Sequence, residues 1–160
     1  MLCKMKSVYF KAKFFISYID KEEAMQLKRD TEYAMRIMVY IAEHLKQNGK
    51  RTGTPSANVI ANTGIPIVTF NRICGRLEDN GMIRKEIDEN GEKWLYPGNG
   101  FWEQSILSIG EAVEGNMKIF VIFDKNSNLS QSYGKKLQET QNSLDHILSK
   151  ATLESIVTDC

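Results

Sequence analysis

A mainly α-helical chain with a small β-hairpin wing is what the sequence predicts, on three observations. Residues 55–97, PSANVIANTGIPIVTFNRICGRLEDNGMIRKEIDENGEKWLYP, divide into a short helix, a glycine turn, a longer helix and a polar hairpin. Upstream, Tyr33, Ala34, Ile37, Ile41 and Leu45 recur at helical spacing. Downstream, Leu137, Leu144 and Ala151 stand seven apart, with Ile147 and Leu148 beside them. A hairpin placed directly after two short-linked helices makes the middle stretch a winged helix-turn-helix, and the stripe, only about two heptads long, marks a long C-terminal helix that either packs on its own domain or, as the preferred reading, is a dimerisation helix.

In chain order, the first packing helix covers about residues 31–47, with Thr31 placed to cap it and Glu43, Lys46 and Gln47 facing out. His44, near its end, reads as a surface residue. A loop from Asn48 to Gly53 leads to the next helix, which Ser56 is placed to cap; it turns Val59 and Ile60 to a core and ends at Gly64. Pro66 suits the first position of the following helix because its missing N–H costs nothing there. That helix runs to about Asn80 and stops at Gly81. Its Phe70, Ile73, Cys74 and Leu77 make one apolar stripe, with Thr69, Arg72 and Arg76 on the opposite side. Residues 82–87 and 93–96 alternate as strands do, and Asp88-Glu89-Asn90-Gly91-Glu92 supplies the turn between them. After the break at Pro97-Gly98-Asn99-Gly100, Ser105 caps a helix ending at Gly115. An apolar, β-rich run at 117–123 then precedes the last helix, about residues 130–150. Gly134 in that helix costs ~1 kcal/mol against Ala.

The 160 residues suit one domain with an extension, and no apolar run approaches the ~20 residues of a membrane span. Formal charge is +1, distributed as +2 over residues 1–24 (5 basic, 3 acidic), +2 over 25–97 (11 and 9) and −3 over 98–160 (5 and 8). That gradient favours the middle segment as the nucleic-acid contact, but only weakly. Residues 1–24 read as an N-terminal extension outside the fold: Lys4, Lys6, Lys11 and Lys13 precede an apolar Phe14-Phe15-Ile16 too short for a secretion signal. Lys21-Glu22-Glu23 requires purine-only codons, so the run before Met25 reads as a ribosome-binding site, with translation starting at Met25. The alternative is a basic arm adding nonspecific phosphate contacts. The remaining divisions are 25–97, the winged helix-turn-helix, and 98–160, a linker, short helix and dimerisation helix.

A second helix that follows a tight turn and shows hydroxyl and guanidinium groups outward has the makeup of a major-groove reader. Arginine bridges guanine O6 and N7, and threonine meets a base edge or a thymine methyl. A solvated helix face is the plainer explanation for surface arginines; the adjoining wing tips the balance. Arg84, Lys85 and Lys93 are placed to meet phosphates, although the acidic turn would be repelled by them. On this reading Lys28, Arg29 and Ser56 touch backbone phosphates, Thr69, Asn71 and Arg72 read base edges, Arg76 reaches either, and Lys93 with Trp94 places the wing.

The chain also resembles the Rrf-type winged-helix transcription repressors. Met25-Gln26-Leu27 with Tyr33-Ala34 matches the opening of that family, and Gly64-Ile65, Ile73, Leu77 and Gly81 match its recognition helix. Ser108-Ile109-Gly110-Glu111-Ala112-Val113-Glu114-Gly115 is similar to its helix after the wing. The resemblance implies a cytoplasmic, bacterial, homodimeric repressor of double-stranded DNA, with Leu137, Leu144, Ile147, Leu148 and Ala151 crossing a symmetry mate. The departures are specific. Asp30 and Glu32 stand where the family usually carries a basic residue, with Lys28 and Arg29 as substitutes. Pro66 and Thr69 replace the usual Ser and Tyr, and the Gly-Gly-Tyr-rich wing is reduced to Asn90-Gly91-Glu92-Lys93-Trp94.

Cluster-binding relatives carry three close cysteines near residues 117–123, and none lies here. Cys3, Cys74 and Cys160 have no ligand spacing, so no iron–sulfur cluster, metal or other cofactor is expected. Cys74, on the core side, reads as a small hydrophobe rather than a thiol switch, and His146 as a helix-surface residue. The 117–123 run could line a pocket for an unknown small-molecule effector through Phe120 and Phe123, but an apolar run is more often core. Two function classes remain: a sequence-specific DNA-binding regulator, and a winged helix used as a protein–protein interaction module. An enzyme has nothing to stand on, with two isolated histidines and no nucleophile–base pair.

Overall fold

The computed structural model describes residues 28–49, 52–119 and 128–158. Helix α1 (Arg29–Asn48) is the central post. Its Ala34, Ile37, Met38, Ile41, Ala42 and Leu45 follow three- and four-residue spacing and are fully buried. Each large one contributes about 1.5–3 kcal/mol through area removed from water. The helix begins two residues earlier than its apolar period suggests, with Asp30 and Glu32 in the first turn, where carboxylates favour the helix dipole. Thr31 is therefore not a cap. It lies inside the helix, fully buried, with its hydroxyl 3.8 Å from the Met117 sulfur.

Strand β1 (Thr54–Pro55) leads directly into α2 (Ser56–Thr63). Ser56 does not cap α2: Pro55 holds the cap position and no side chain bonds the free N–H groups. Gly64, at φ 67°, provides the left-handed residue that ends α2, its N–H donating to the Ile60 carbonyl at 3.2 Å. Pro66 then precedes α3 (Ile67–Asp79), one place earlier than expected. Phe70, Ile73, Cys74 and Leu77 anchor α3 in the core. At its end, Gly81 (φ 70°) donates to Glu78 at 2.8 Å and Met82 donates to Leu77 at 2.9 Å, the paired bonds of a Schellman stop.

The wing is the antiparallel pair β2 (Ile83–Ile87) and β3 (Lys93–Pro97), in register from Ile83 opposite Pro97 to Ile87 opposite Lys93. β1 adds a third strand on the other side of β3, giving the order β1-β3-β2. Only Ile83 and Leu95 of the wing turn fully into the core; the rest of β2 is exposed. Asp88 organises the turn, accepting from the main-chain N–H of Asn90 and of Glu92, each at 2.9 Å, and from the Trp94 indole at 3.2 Å.

Beyond the wing, Ser105 caps α4 (Ile106–Glu114) as expected, in a reciprocal capping box with Ser108. α4 packs on α1, α3 and α5 (Asn128–Lys150). Buried Gln141 of α5 accepts from the Ile119 N–H at 2.8 Å and so fastens the 117–119 segment. A last helix, α6 (Leu153–Thr158), returns to α1 and buries Leu153 and Val157 against it. Three main-chain bonds hold that return: Ile106 N–H to the Ala151 carbonyl, Leu153 to Gln104, and Glu154 to Trp102, at 2.9–3.0 Å.

Candidate nucleic-acid interface

Because α3 is anchored along the stripe from Phe70 to Leu77, its opposite side is offered outward. The residues there are not quite those expected. Ile67 and Val68 are 60% and 77% exposed, and Asn71 and Arg72 are exposed beside them, whereas Thr69 is half-buried. The helical angle carries the signal: Val68 lies about 200° from Phe70, so it points away from the core although it is apolar. The outward ridge is thus Ile67, Val68, Asn71 and Arg72.

Arg72 does not stand free. Its Nη1 and Nη2 donate to the two carboxylate oxygens of Asp30, the second at 2.8 Å, joining α3 to the first turn of α1. The hydrogen bond from Arg72 holds the Asp30 carboxyl below its usual range, and the same pairing raises the guanidinium. Arg76 donates to the Val113 carbonyl at the end of α4 and lies 3.5 Å from Asp30. It ties helices together, yet its side chain stays 45% exposed, as open as the 44% of Arg72. Lys28 is exposed and 3.7 Å from Glu114, and Arg29 is exposed at the start of α1. Ser56 is only 8% exposed, which leaves little of it for any contact.

In the wing, Lys85 pairs with Glu78 at 2.6 Å, and Arg84 sits 3.7 Å from Glu86 and over the Tyr96 ring. Lys93 is exposed, Trp94 is half-buried by its bond to Asp88, and Ile87 at the tip is 67% exposed. Main-chain and indole donors hold Asp88 below the usual carboxylate range. The acidic turn residue is therefore occupied within the hairpin.

The long helix leaves its stripe open. Leu137, Leu144, Leu148 and Ala151 are only partly covered, and Ile147 is 64% exposed. Cys74 is 2% exposed, and burial pushes its thiol up to about 12. Among the described residues Cys74 is the one cysteine, and no three His, Cys, Asp or Glu side chains are grouped to hold a metal ion. Cys3, Cys160, Phe120, Phe123, residues 1–24 and the Met25-Gln26-Leu27 opening lie outside the described residues. An open depression of about 500 Å³ lies between the end of α1 and the wing, lined by His44, Asn58, Trp94 and Tyr96 among others, and a smaller one of about 210 Å³ lies on the wing itself. Among the described residues no helix is long and apolar enough to cross a membrane.

Two helices joined by a tight turn, a third packing helix and a β-hairpin wing define a winged helix-turn-helix protein. No family model matches the sequence, and no curated protein matches it. Solved structures do. CymR, the global cysteine regulator of B. subtilis, is similar over 86% of this chain and 99% of its own, at 11% identity and a TM-score of 0.69. The oxidized form of Staphylococcus aureus CymR matches over 83% and 96%, at 16% identity and 0.60. T. potens IscR matches over 85% and 88%, at 15% identity and 0.60. The chain shares the fold of these proteins, the kind its sequence resembles.

Proposed function

We propose that the protein is a sequence-specific DNA-binding transcription regulator of the Rrf type, a dimeric repressor that acts on a palindromic operator without an iron–sulfur cluster. The observation that carries this reading is the outward ridge of α3, anchored by a full apolar stripe and flanked by the wing and by Lys28 and Arg29. The likeness to CymR and IscR supports it. Asn71 and Arg72 read base edges with Thr69 at the side, Lys28 and Arg29 meet phosphates, and Lys93 with Trp94 sets the wing; Ser56 is left out. The open stripe of α5 covers its symmetry mate, placing two α3 helices about 34 Å apart, one turn of DNA. A small-molecule effector and a cytoplasmic setting complete the proposal.

Fluorescence anisotropy of the full chain on labelled DNA from upstream of its gene, against scrambled DNA, tests it at about 50 and 200 mM salt. Binding about a thousandfold tighter to the upstream segment is the expected result. Within that complex, Arg72→Ala weakens the specific site about tenfold to a hundredfold and random DNA little; equal weakening on both would reduce Arg72 to a phosphate contact. Exposed Ile67, Val68 and Ile87 favour a second reading, in which the same surface docks on a protein. Weak, equal and salt-insensitive DNA binding would favour that reading.

A further inference from the structure

Asp30 is the residue that the DNA-reading surface does not account for. A carboxylate so near a groove-facing helix opposes phosphate binding through its charge, yet both of its oxygens are taken by an exposed guanidinium of that helix. We infer that Asp30 is a positioning residue: it fixes the Arg72 fork in one orientation, raising discrimination at a single base pair while lowering affinity for DNA in general. This rests on the DNA-binding reading above and adds to it a determinant of specificity.

The geometry supports both halves. Both Asp30 oxygens are engaged by the two terminal nitrogens of Arg72, so the plane and direction of the fork are set from α1. Of the five N–H donors of a guanidinium the pair uses two, leaving Nε–H and one on each terminal nitrogen, enough for a two-point contact with guanine. Arg72 remains 44% exposed while Asp30 is 21% exposed, so the carboxylate is the inner partner and the guanidinium the outer one. An arginine held this way has lost its rotamer freedom before DNA arrives, which favours the one base pair it fits. Its charge is also offset, so it adds little to phosphate attraction. Arg76, at 3.5 Å from the same carboxylate and bonded to Val113, is offset in part as well.

The test enriches a duplex from a random pool with the full chain, then compares wild type, Asp30→Asn and Asp30→Glu on that duplex, on its single-base variants and on scrambled DNA. Thermal unfolding of each protein is run alongside. Asp30→Asn is expected to bind scrambled DNA about three- to tenfold more tightly, with a salt slope larger by about one. Discrimination should fall about tenfold at one position, the same position that Arg72→Ala loses. Asp30→Glu keeps the charge but moves the fork, so it should lose that discrimination without gaining affinity for scrambled DNA. It serves as the measurement if Asp30→Asn does not fold. Equal tightening on enriched and scrambled DNA would overturn the proposal, making Asp30 a competitor only; so would unchanged discrimination in Asp30→Glu. A wild-type pool that enriches no sequence overturns the proposal together with the DNA reading, whereas the other two results leave that reading standing.

Discussion

Cys74 and Asp30 show how one side chain's surroundings set its chemistry. The Cys74 thiol, pushed up to about 12 by burial, stays protonated at neutral pH and is closed to solvent. Iodoacetamide at pH 8 should therefore leave the Cys74 peptide unlabelled until denaturant is added, as mass spectrometry would show. The sign of the alkaline effect follows. The unfolded thiol ionises near 9 while the folded one keeps its proton, so this contribution to stability is full below 9 and is lost as pH rises toward 12. Cys74→Ala should flatten that limb of a denaturation series. Asp30 works in the opposite sense. Its folded value is depressed, first by the hydrogen bond from Arg72, so its contribution is present above about pH 4 and disappears as acid protonates the folded carboxyl. Asp30→Asn should lose less stability than wild type between about pH 4 and 2, in a urea titration followed by circular dichroism. The sequence marks Asp30 as a departure from the family pattern it resembles but not as the holder of Arg72. The two are 42 residues apart, and only the packing of α1 beside α3 brings them together.

At the level of elements, the turns are the most constrained parts. Gly64 sits at φ 67°, where a Cβ meets no neighbour but the backbone itself is strained. Gly64→Ala should cost about 1 kcal/mol in chemical denaturation, and Gly64→Asn less, since asparagine tolerates the left-handed region. Gly98 differs in kind. A Cβ there would press on the Gly81 carbonyl oxygen and come within 2.7 Å of the Met82 carbonyl carbon, backbone that cannot swing aside. Gly98→Ala should lower the thermal midpoint well beyond the effect of Gly64→Ala; a smaller effect would mean the wing base is slack. The helices, the turn at Gly64, the hairpin and the Ser105 cap were legible because each rests on local chemistry: periodicity, a left-handed glycine, strand alternation, a hydroxyl three residues from its N–H. Three features were not. β1 is two residues long and has no period of its own, α6 is a six-residue helix defined by docking on α1, and neither Thr31, buried against distant Met117, nor Ser56, which follows Pro55 at the cap position, holds the cap that its residue type suggests. The outward ridge was half legible, since Arg72 and Asn71 announce themselves by type, whereas Ile67 and Val68 do so only by angle.

For the whole molecule, the proposed dimer turns on the uncovered side of α5. Ile147 at 64% exposure, beside half-covered Leu144 and Leu148, is a poor surface for an isolated monomer and a good seam for a second copy. On the proposed dimeric reading, Ile147→Glu with Leu144→Glu should give a monomer by sedimentation velocity, keep the helical circular dichroism, and weaken binding to the proposed operator at least tenfold, because one half-site would then be bound alone. A wild-type chain that sediments as a monomer at micromolar concentration would sink the dimer.

The return of α6 to α1 also has a consequence for how the protein is made. The flank of α1 that Leu153 and Val157 cover, beside Lys46, whose ammonium donates to the Val157 carbonyl at 2.9 Å, has no cover until those residues are synthesised. From Asn48 to Thr158 the ribosome adds roughly 110 residues, on the order of ten seconds at about 5–20 residues per second. Throughout that interval the nascent chain carries a helix with one apolar side bare. A message truncated before the codon for Leu153 would therefore release a polypeptide with its helix-turn-helix built and its central post half-clad, fit for chaperones and proteases.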